Sequence, residues 1–215
     1  DDVAHVSDRI PHLLTTDHVE AQIYAFKLAI RLHISEADFD ASAYEPRLRT
    51  AIADAISHRD WFPNAGVLVL ELSDNEEYEL AATVSDATIS EIESSPDWEV
   101  DAEGVRAFHL LTLLWSAPSE NVVSYLFENH QSFDQPDWET SRRNLVQAFA
   151  TNPWFAANLE GHVDDVLAAI EEHGPALIES GKVKRDELCE VCDALPREGV
   201  PDSVESALDA AVGDT

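Results

Sequence analysis

The sequence predicts a mainly α protein, either a helical bundle or a short array of helical hairpins with an internal duplication. Two observations predict this class. Apolar residues recur at helical spacing through most of the chain, and a segment near residue 39 is matched in order by one near residue 133. Hydrophobic residues make up 45% of the chain, with five Trp and eight Phe, which is enough to build a buried core.

The first half of the chain predicts two helices before residue 60. Asp17 is a candidate N-cap, and apolar residues follow it at helical spacing as far as Leu32. A second helix, 45–58, opens on Glu45-Pro46, because proline suits the first turn of a helix.

Residues 66–84 allow two interpretations. The run from Gly66 to Leu72 is rich in β-branched and leucine residues, and Ser73-Asp74-Asn75 could turn it into a second strand, which gives a small β-hairpin. The matching segment later in the chain is followed by helix, so the helical interpretation is favoured here. A helical turn at 86–94 comes next.

The second half of the chain is predicted to be helical throughout. Pro118 and Pro153 separate helices, and Gly174-Pro175 is expected to stop one. The predicted helices are 101–116, 120–129, 139–151, 156–173, 176–181, 185–194 and 202–212.

The duplication consists of an aromatic residue and a Glu, then an Arg, then a Trp-Phe pair after the helix. The first copy contains Phe39, Tyr44, Glu45, Arg49, Trp61 and Phe62, and the second contains Phe133, Trp138, Glu139, Arg142, Trp154 and Phe155. An aromatic residue before a helix can staple the entering chain, and a Glu in the first turn is stabilised by the helix dipole. The match predicts two repeat units, 1–94 and 95–215, packed as one compact domain.

The charge of the chain indicates its habitat. It has 43 Asp and Glu against 13 Lys and Arg, a formal net charge of -30, with three lysines and the acid spread along the whole length. Such a charge destabilises a compact state in dilute salt, whereas at molar salt the screening length falls to about 3 Å. Dispersed acid and scarce Lys resemble the cytoplasmic proteins of salt-in halophiles, in particular haloarchaea.

The same charge argues against several function classes. Non-specific nucleic-acid binding and attachment to anionic membranes both depend on clustered Lys and Arg. No run of 18 apolar residues and no signal peptide are visible, so a cytoplasmic location is expected.

The candidate metal ligands are weak. Cys189 and Cys192 form a CxxC motif, with His173 as the nearest histidine, but a tetrahedral zinc ion needs a further ligand. On a helix both cysteines fall on one face with Leu188 and Leu195, which is typical of small buried residues. The motif is therefore interpreted as structural.

The sequence contains no recognisable catalytic or phosphate-binding motif. The nine histidines form neither HxH nor HExxH, and GxSxG, P-loop and GxGxxG patterns are absent. No cofactor and no enzymatic activity are predicted.

The scarce cations are the candidate contacts for a partner. They form two groups, Arg142, Arg143 and the neighbouring Asn144 in one, and Lys182, Lys184 and Arg185 in the other. Arg142 is matched by Arg49 in the duplication, which indicates a structural salt bridge.

The leading hypothesis is a non-enzymatic protein-interaction module, an adaptor, regulator or complex subunit, for which a homo-oligomer is also open. The alternative is a helix-turn-helix DNA-binding regulator centred on 105–150, because recognition helices read bases with Arg and Asn near their start.

Overall fold

The structure is a computed structural model that describes residues 8–13, 15–16, six positions between 21 and 32, 62–94 and 110–212. The chain divides into two compact units, Asp1–His109 and Leu110–Thr215. The mainly helical class is confirmed, since all regular secondary structure in the described ranges is helical. The repeat units 1–94 and 95–215, and their packing as one compact domain, stay predictions.

The first unit contains α1 (Ile10–Leu13), α2 (Phe62–Asp74) and α3 (Tyr78–Ser94). Helices α2 and α3 pack against each other, and their inward side chains recur at helical spacing, with Leu68, Leu72, Ala81 and Val84 buried. The β-hairpin alternative for 66–84 is therefore wrong. Burial of one helical face outweighs the β propensity of the segment, and the predicted turn near Asn75 is the link between the two helices.

The second unit is a set of helices joined by short links. Its elements are α4 (110–116), α5 (Glu120–Glu128), a 3-10 turn (His130–Ser132), α6 (Gln135–Thr151), α7 (Pro153–Ala157), α8 (Val163–Glu179), α9 (Arg185–Ala194) and α10 (Asp202–Val212). Pro153 interrupts the helical run as predicted, because α6 ends at Thr151 and the proline is the first residue of α7.

Helix α8 is the centre of the second unit. It contacts α6, α9 and α10, and its buried side chains include Val166, Leu167, Ile170 and Leu177. The predicted helix 156–173 is in fact two elements, α7 and α8. Helix α8 also absorbs the separate helix predicted at 176–181.

The prediction that Gly174-Pro175 stops a helix is wrong, because α8 runs through Pro175 to Glu179. Gly174 serves close packing instead. A Cβ atom on it would lie 2.9 Å from Leu208 Cδ2 and 3.1 Å from Leu188 Cδ1. The missing side chain lets α9 and α10 approach α8 closely.

The internal duplication is not supported by the structure. The first copy, from Phe39 to Trp61, lies outside the described residues, and so does the helix 45–58. In the second copy α6 begins at Gln135, ahead of the aromatic–Glu pair. Trp138 and Glu139 therefore lie inside the helix, whereas the repeat pattern places the aromatic residue before it.

Within the described ranges, no helix combines the length and the apolar character needed to cross a bilayer.

The packing at Gly174 makes a testable prediction. We expect Gly174→Ala to lower the free energy of unfolding by about 1 kcal/mol, because overpacking a core costs about 1–3 kcal/mol and better helix propensity offsets about 1 kcal/mol. Urea unfolding measures the difference. The control Ala168→Ser, at an exposed position of the same helix, should change stability by no more than about 0.5 kcal/mol. A stabilised Gly174→Ala variant would contradict the close approach.

Candidate functional site

A group of partly exposed rings lies between the end of α5 and the start of α6. Trp138 is at its centre, and we call this group the Trp138 surface; its members are Phe127, His130, Phe133, Trp138 and His162. The Trp138 ring centroid is 5.6 Å from that of Phe127, edge to face, 5.5 Å from His130 and 6.3 Å from Phe133. His130 is exposed and the other four are half-buried.

His162 completes the Trp138 surface from the other side. Its ring stacks on Phe127 at 5.4 Å with an interplanar angle of 16°. It stands at the N-cap of α8 in the left-handed region, at φ 56°, and its Nδ1 lies 2.9 Å from Asp165 Oδ2. The carboxylate of Glu120 accepts hydrogen bonds from the backbone N–H of Glu160 and of Gly161, which ties the preceding link to α5.

Arg142 connects the Trp138 surface to helix α8. Its guanidinium carbon lies 5.7 Å from the centroid of the Trp138 ring, within the range of a cation–π contact. The same group donates a hydrogen bond to Glu172 Oε2 on α8, and its Nη1 lies 3.9 Å from Glu139 Oε2. Only 12% of the Arg142 side chain is exposed. One side chain therefore links α6, α8 and the ring of Trp138.

His173 lies beside this network and is largely shielded from water. Its Nε2 is 3.4 Å from Glu139 Oε2. Burial lowers the pKa of His173 below its ordinary value of 6.5, and the nearby Arg142 lowers it further, against the opposing effect of the Glu172 and Glu139 carboxylates. The imidazole is therefore neutral at pH 7.

A cleft of about 500 Å³ adjoins His162, between the start of α8 and the link from α9 to α10. Asp164 and Arg197 both line it and form an ion pair, with 2.9 Å between the guanidinium Nη1 and the carboxylate. Further acidic residues in its lining are Glu160, Asp165 and Glu198.

Some of the predicted contact residues are paired with carboxylates of the protein, and others are exposed to solvent. Arg142 is engaged within the protein, and so is Arg185, whose guanidinium donates to Asp209 Oδ1 and links α9 to α10. Lys184 Nζ lies 3.5 Å from Glu187, although its side chain is largely exposed. Arg143 and Lys182 are exposed, and Asn144 is half-buried on α6.

The predicted metal ligands are not brought together. Cys189 and Cys192 both lie on α9 as free thiols, Cys189 half-buried and Cys192 buried. Among the described residues His173 groups with Glu139 and Glu172 instead. Both cysteines lie on one helix, as the sequence predicts, and the structural interpretation of the CxxC motif stays a prediction.

Sequence reasoning missed two parts of this site. It assigned Trp138, as the aromatic residue before a helix, to stapling the entering chain, and it gave no role in a site to Glu172 or to Phe127. The spacing of the duplication did single out Arg142 as a salt-bridge residue, but its partner stands 30 residues further along the chain.

Comparison with protein-family models, with curated proteins and with solved structures finds no match to this chain.

The position of Arg142 predicts an asymmetry between neighbouring arginines. We expect Arg142→Gln to lower the free energy of unfolding by about 1–3 kcal/mol, because it removes a charge-assisted hydrogen bond and a cation–π contact. Arg143→Gln is the matched control, and at this exposed position we expect a change within about 0.5 kcal/mol. Equal effects of the two substitutions in urea unfolding would refute the bridging role of Arg142.

The two cysteines are predicted to differ in reactivity. Burial, followed by the charges of Cys189, Asp193 and Glu205, raises the pKa of Cys192 to about 11. Since the thiolate is the reactive form, iodoacetamide at pH 8 should modify native Cys192 at least about tenfold more slowly than Cys189. The variants Cys189→Ser and Cys192→Ser assign the rates by mass spectrometry. The difference should vanish in denaturant, and equal rates in the native protein would be inconsistent with the burial of Cys192.

Proposed function

We propose that this chain is a non-enzymatic protein-interaction module, an adaptor, regulator or complex subunit, and that it docks a protein partner on the Trp138 surface. The observation that carries the proposal is the half-exposed Trp138 ring, surrounded by further aromatic rings and backed by Arg142. Trp and Arg are enriched among the residues that dominate binding energy at protein interfaces.

The rings of this surface are held in place before any partner arrives. Phe127 packs edge-on against Trp138, and Arg142 lies over the same ring while it is fixed by Glu172. A side chain that is already immobilised loses little conformational entropy on binding, so more of its contact energy contributes to affinity. The Trp138 surface has this preorganisation.

The surroundings of the surface define the chemistry of the partner. Glu128, Asp134 and Asp137 are exposed close to the rings in the sequence, and the cleft beyond His162 is acidic as well. The fitting partner therefore presents an apolar side chain to Trp138 with Lys or Arg around it. It is a protein with a basic rim around an apolar contact.

The proposed habitat is compatible with an interface in which aromatic contacts supply the affinity and charges supply the specificity. In a halophilic, in particular haloarchaeal, cytoplasm the charges of the rim are strongly screened. Apolar contacts persist at high salt, and salts that are excluded from protein surfaces strengthen them. The aromatic centre would then carry the affinity, and the rim would select the partner.

The DNA-binding alternative has less support. Arg142 is engaged by Glu172 and Trp138, which leaves Arg143 as the exposed arginine of the pair. The first turns of α6 also carry Asp137 and Glu139, whose charges repel phosphate. A helix that reads bases needs the opposite charge at its start.

The proposal is tested with a pair of tryptophan variants. Trp138→Ala and Trp115→Ala each remove a ring, and Trp115 is 45% exposed but lies outside the Trp138 surface. Proteins retained by the immobilised wild-type chain in molar KCl are identified, purified and titrated against all three forms by calorimetry. We expect at least a tenfold loss of affinity for Trp138→Ala, in the range of an interface hot spot, and less than threefold for Trp115→Ala.

Three results would overturn the proposal. They are equal affinity of a purified partner for wild type and Trp138→Ala, loss through Trp115→Ala alone, and self-association of the wild type through Trp138 in sedimentation, since a second copy is not a basic partner. Tight binding of a DNA duplex that is lost in Arg143→Gln would favour the alternative.

A further inference from the structure

We propose that Glu139, Glu172 and His173 form a binding site for a divalent first-row transition metal ion, in competition with Arg142. We call these three residues the His173 cluster. Glu139 comes from α6, while Glu172 and His173 come from α8, so the ion would join two helices that already pack together. The proposal does not rest on the docking of a protein partner.

The donor atoms of the His173 cluster are close enough to share one ion. All three ligand atoms lie within 4.8 Å of one another. His173 Nε2 and Glu139 Oε2 are separated by 3.4 Å. Two ligands bound to zinc at about 2.0–2.2 Å in a tetrahedral arrangement stand about 3.4 Å apart, so this pair is already at coordination spacing.

The second observation in favour of a metal site is the environment of the His173 Nε2 atom. Nε2 is shielded from solvent and has no hydrogen-bond partner among the described residues. Buried polar atoms are nearly always hydrogen-bonded, so an exception needs an explanation. The ion-pair network of Arg142, Glu139 and Glu172 satisfies the carboxylates but leaves this nitrogen without a hydrogen bond, whereas a metal ion would coordinate it.

The donor set selects the class of ion. One imidazole nitrogen and two carboxylate oxygens suit zinc, cobalt, iron or manganese, whereas magnesium and calcium prefer oxygen ligands throughout. Three protein ligands leave a fourth position for water. Glu139 and Glu172 are 41% and 52% exposed, so an ion can reach the cluster from solvent.

Arg142 is the resident cation of the same carboxylates. It donates to Glu172 Oε2 and lies 3.9 Å from Glu139 Oε2. A divalent ion must therefore either displace the guanidinium or leave it on the outer carboxylate oxygens. In both cases its positive charge opposes that of the metal, and its removal should tighten metal binding.

The test uses Co²⁺ as a spectroscopic probe of the whole protein in 1 M KCl with excess Mg²⁺, which suppresses binding to the acidic surface. We expect one equivalent of Co²⁺ to give visible absorption bands typical of nitrogen and oxygen coordination. His173→Gln should weaken binding about tenfold or more, because it removes a ligand. Arg142→Gln should strengthen binding about tenfold, because it removes a positive charge that repels the ion. Zn²⁺ should displace the Co²⁺ signal.

Two further variants keep the test decisive. His12→Gln removes an exposed histidine that belongs neither to the cluster nor to the Trp138 surface, and it should leave binding unchanged. Glu172→Gln removes a half-exposed ligand, so it reports on the site even where His173→Gln fails to fold. The proposal is overturned by Co²⁺ spectra of simple hexahydrate type, by binding that is indifferent to Glu172→Gln, or by binding that weakens in a folded Arg142→Gln protein.

Discussion

The bridge that Arg142 makes between α6 and α8 supports the arrangement of the whole candidate site. Its guanidinium lies over Trp138, pairs with Glu172 and stands near Glu139. Without it, the carboxylates of Glu139 and Glu172 would face each other uncompensated, and the Trp138 ring would lose the contact on one face. The Trp138 surface and the His173 cluster are therefore not separate features, because the same cation contacts both.

Scarce cations are used in the same way elsewhere in the second unit. Arg185 links α9 to α10 through Asp209, and Arg197 links the α9–α10 connection to Asp164 on α8. Arginine suits this role better than lysine, because its planar group donates several hydrogen bonds in fixed directions and stays charged. A chain with 43 acidic residues and three lysines thus places several of its arginines where two elements meet.

The sequence predicted the helical class and most helices of the second unit, because their apolar stripes are long and regular. For 66–84 it favoured helix but left a β-hairpin open, because the β-rich residues there form helix only through burial of one face against a neighbouring helix. It misread Gly174-Pro175, because a glycine that ends a helix and one that admits a neighbouring helix look alike in sequence. Local spacing was enough to predict that Arg142 forms a salt bridge. It could not identify Glu172 as the partner or predict the ring contacts of Trp138, since these depend on tertiary packing.

Pro175 has a consequence for the dynamics of α8. Proline has no amide hydrogen, so the carbonyl of Glu171 lacks its usual partner four residues later, and the backbone ladder is weakest in the turn that carries Glu172 and His173. Local opening of the helix should concentrate there. A ligand that draws these two side chains toward α6 would also stabilise that turn. Slower hydrogen exchange of the backbone amides in the turn would then report that the site is occupied.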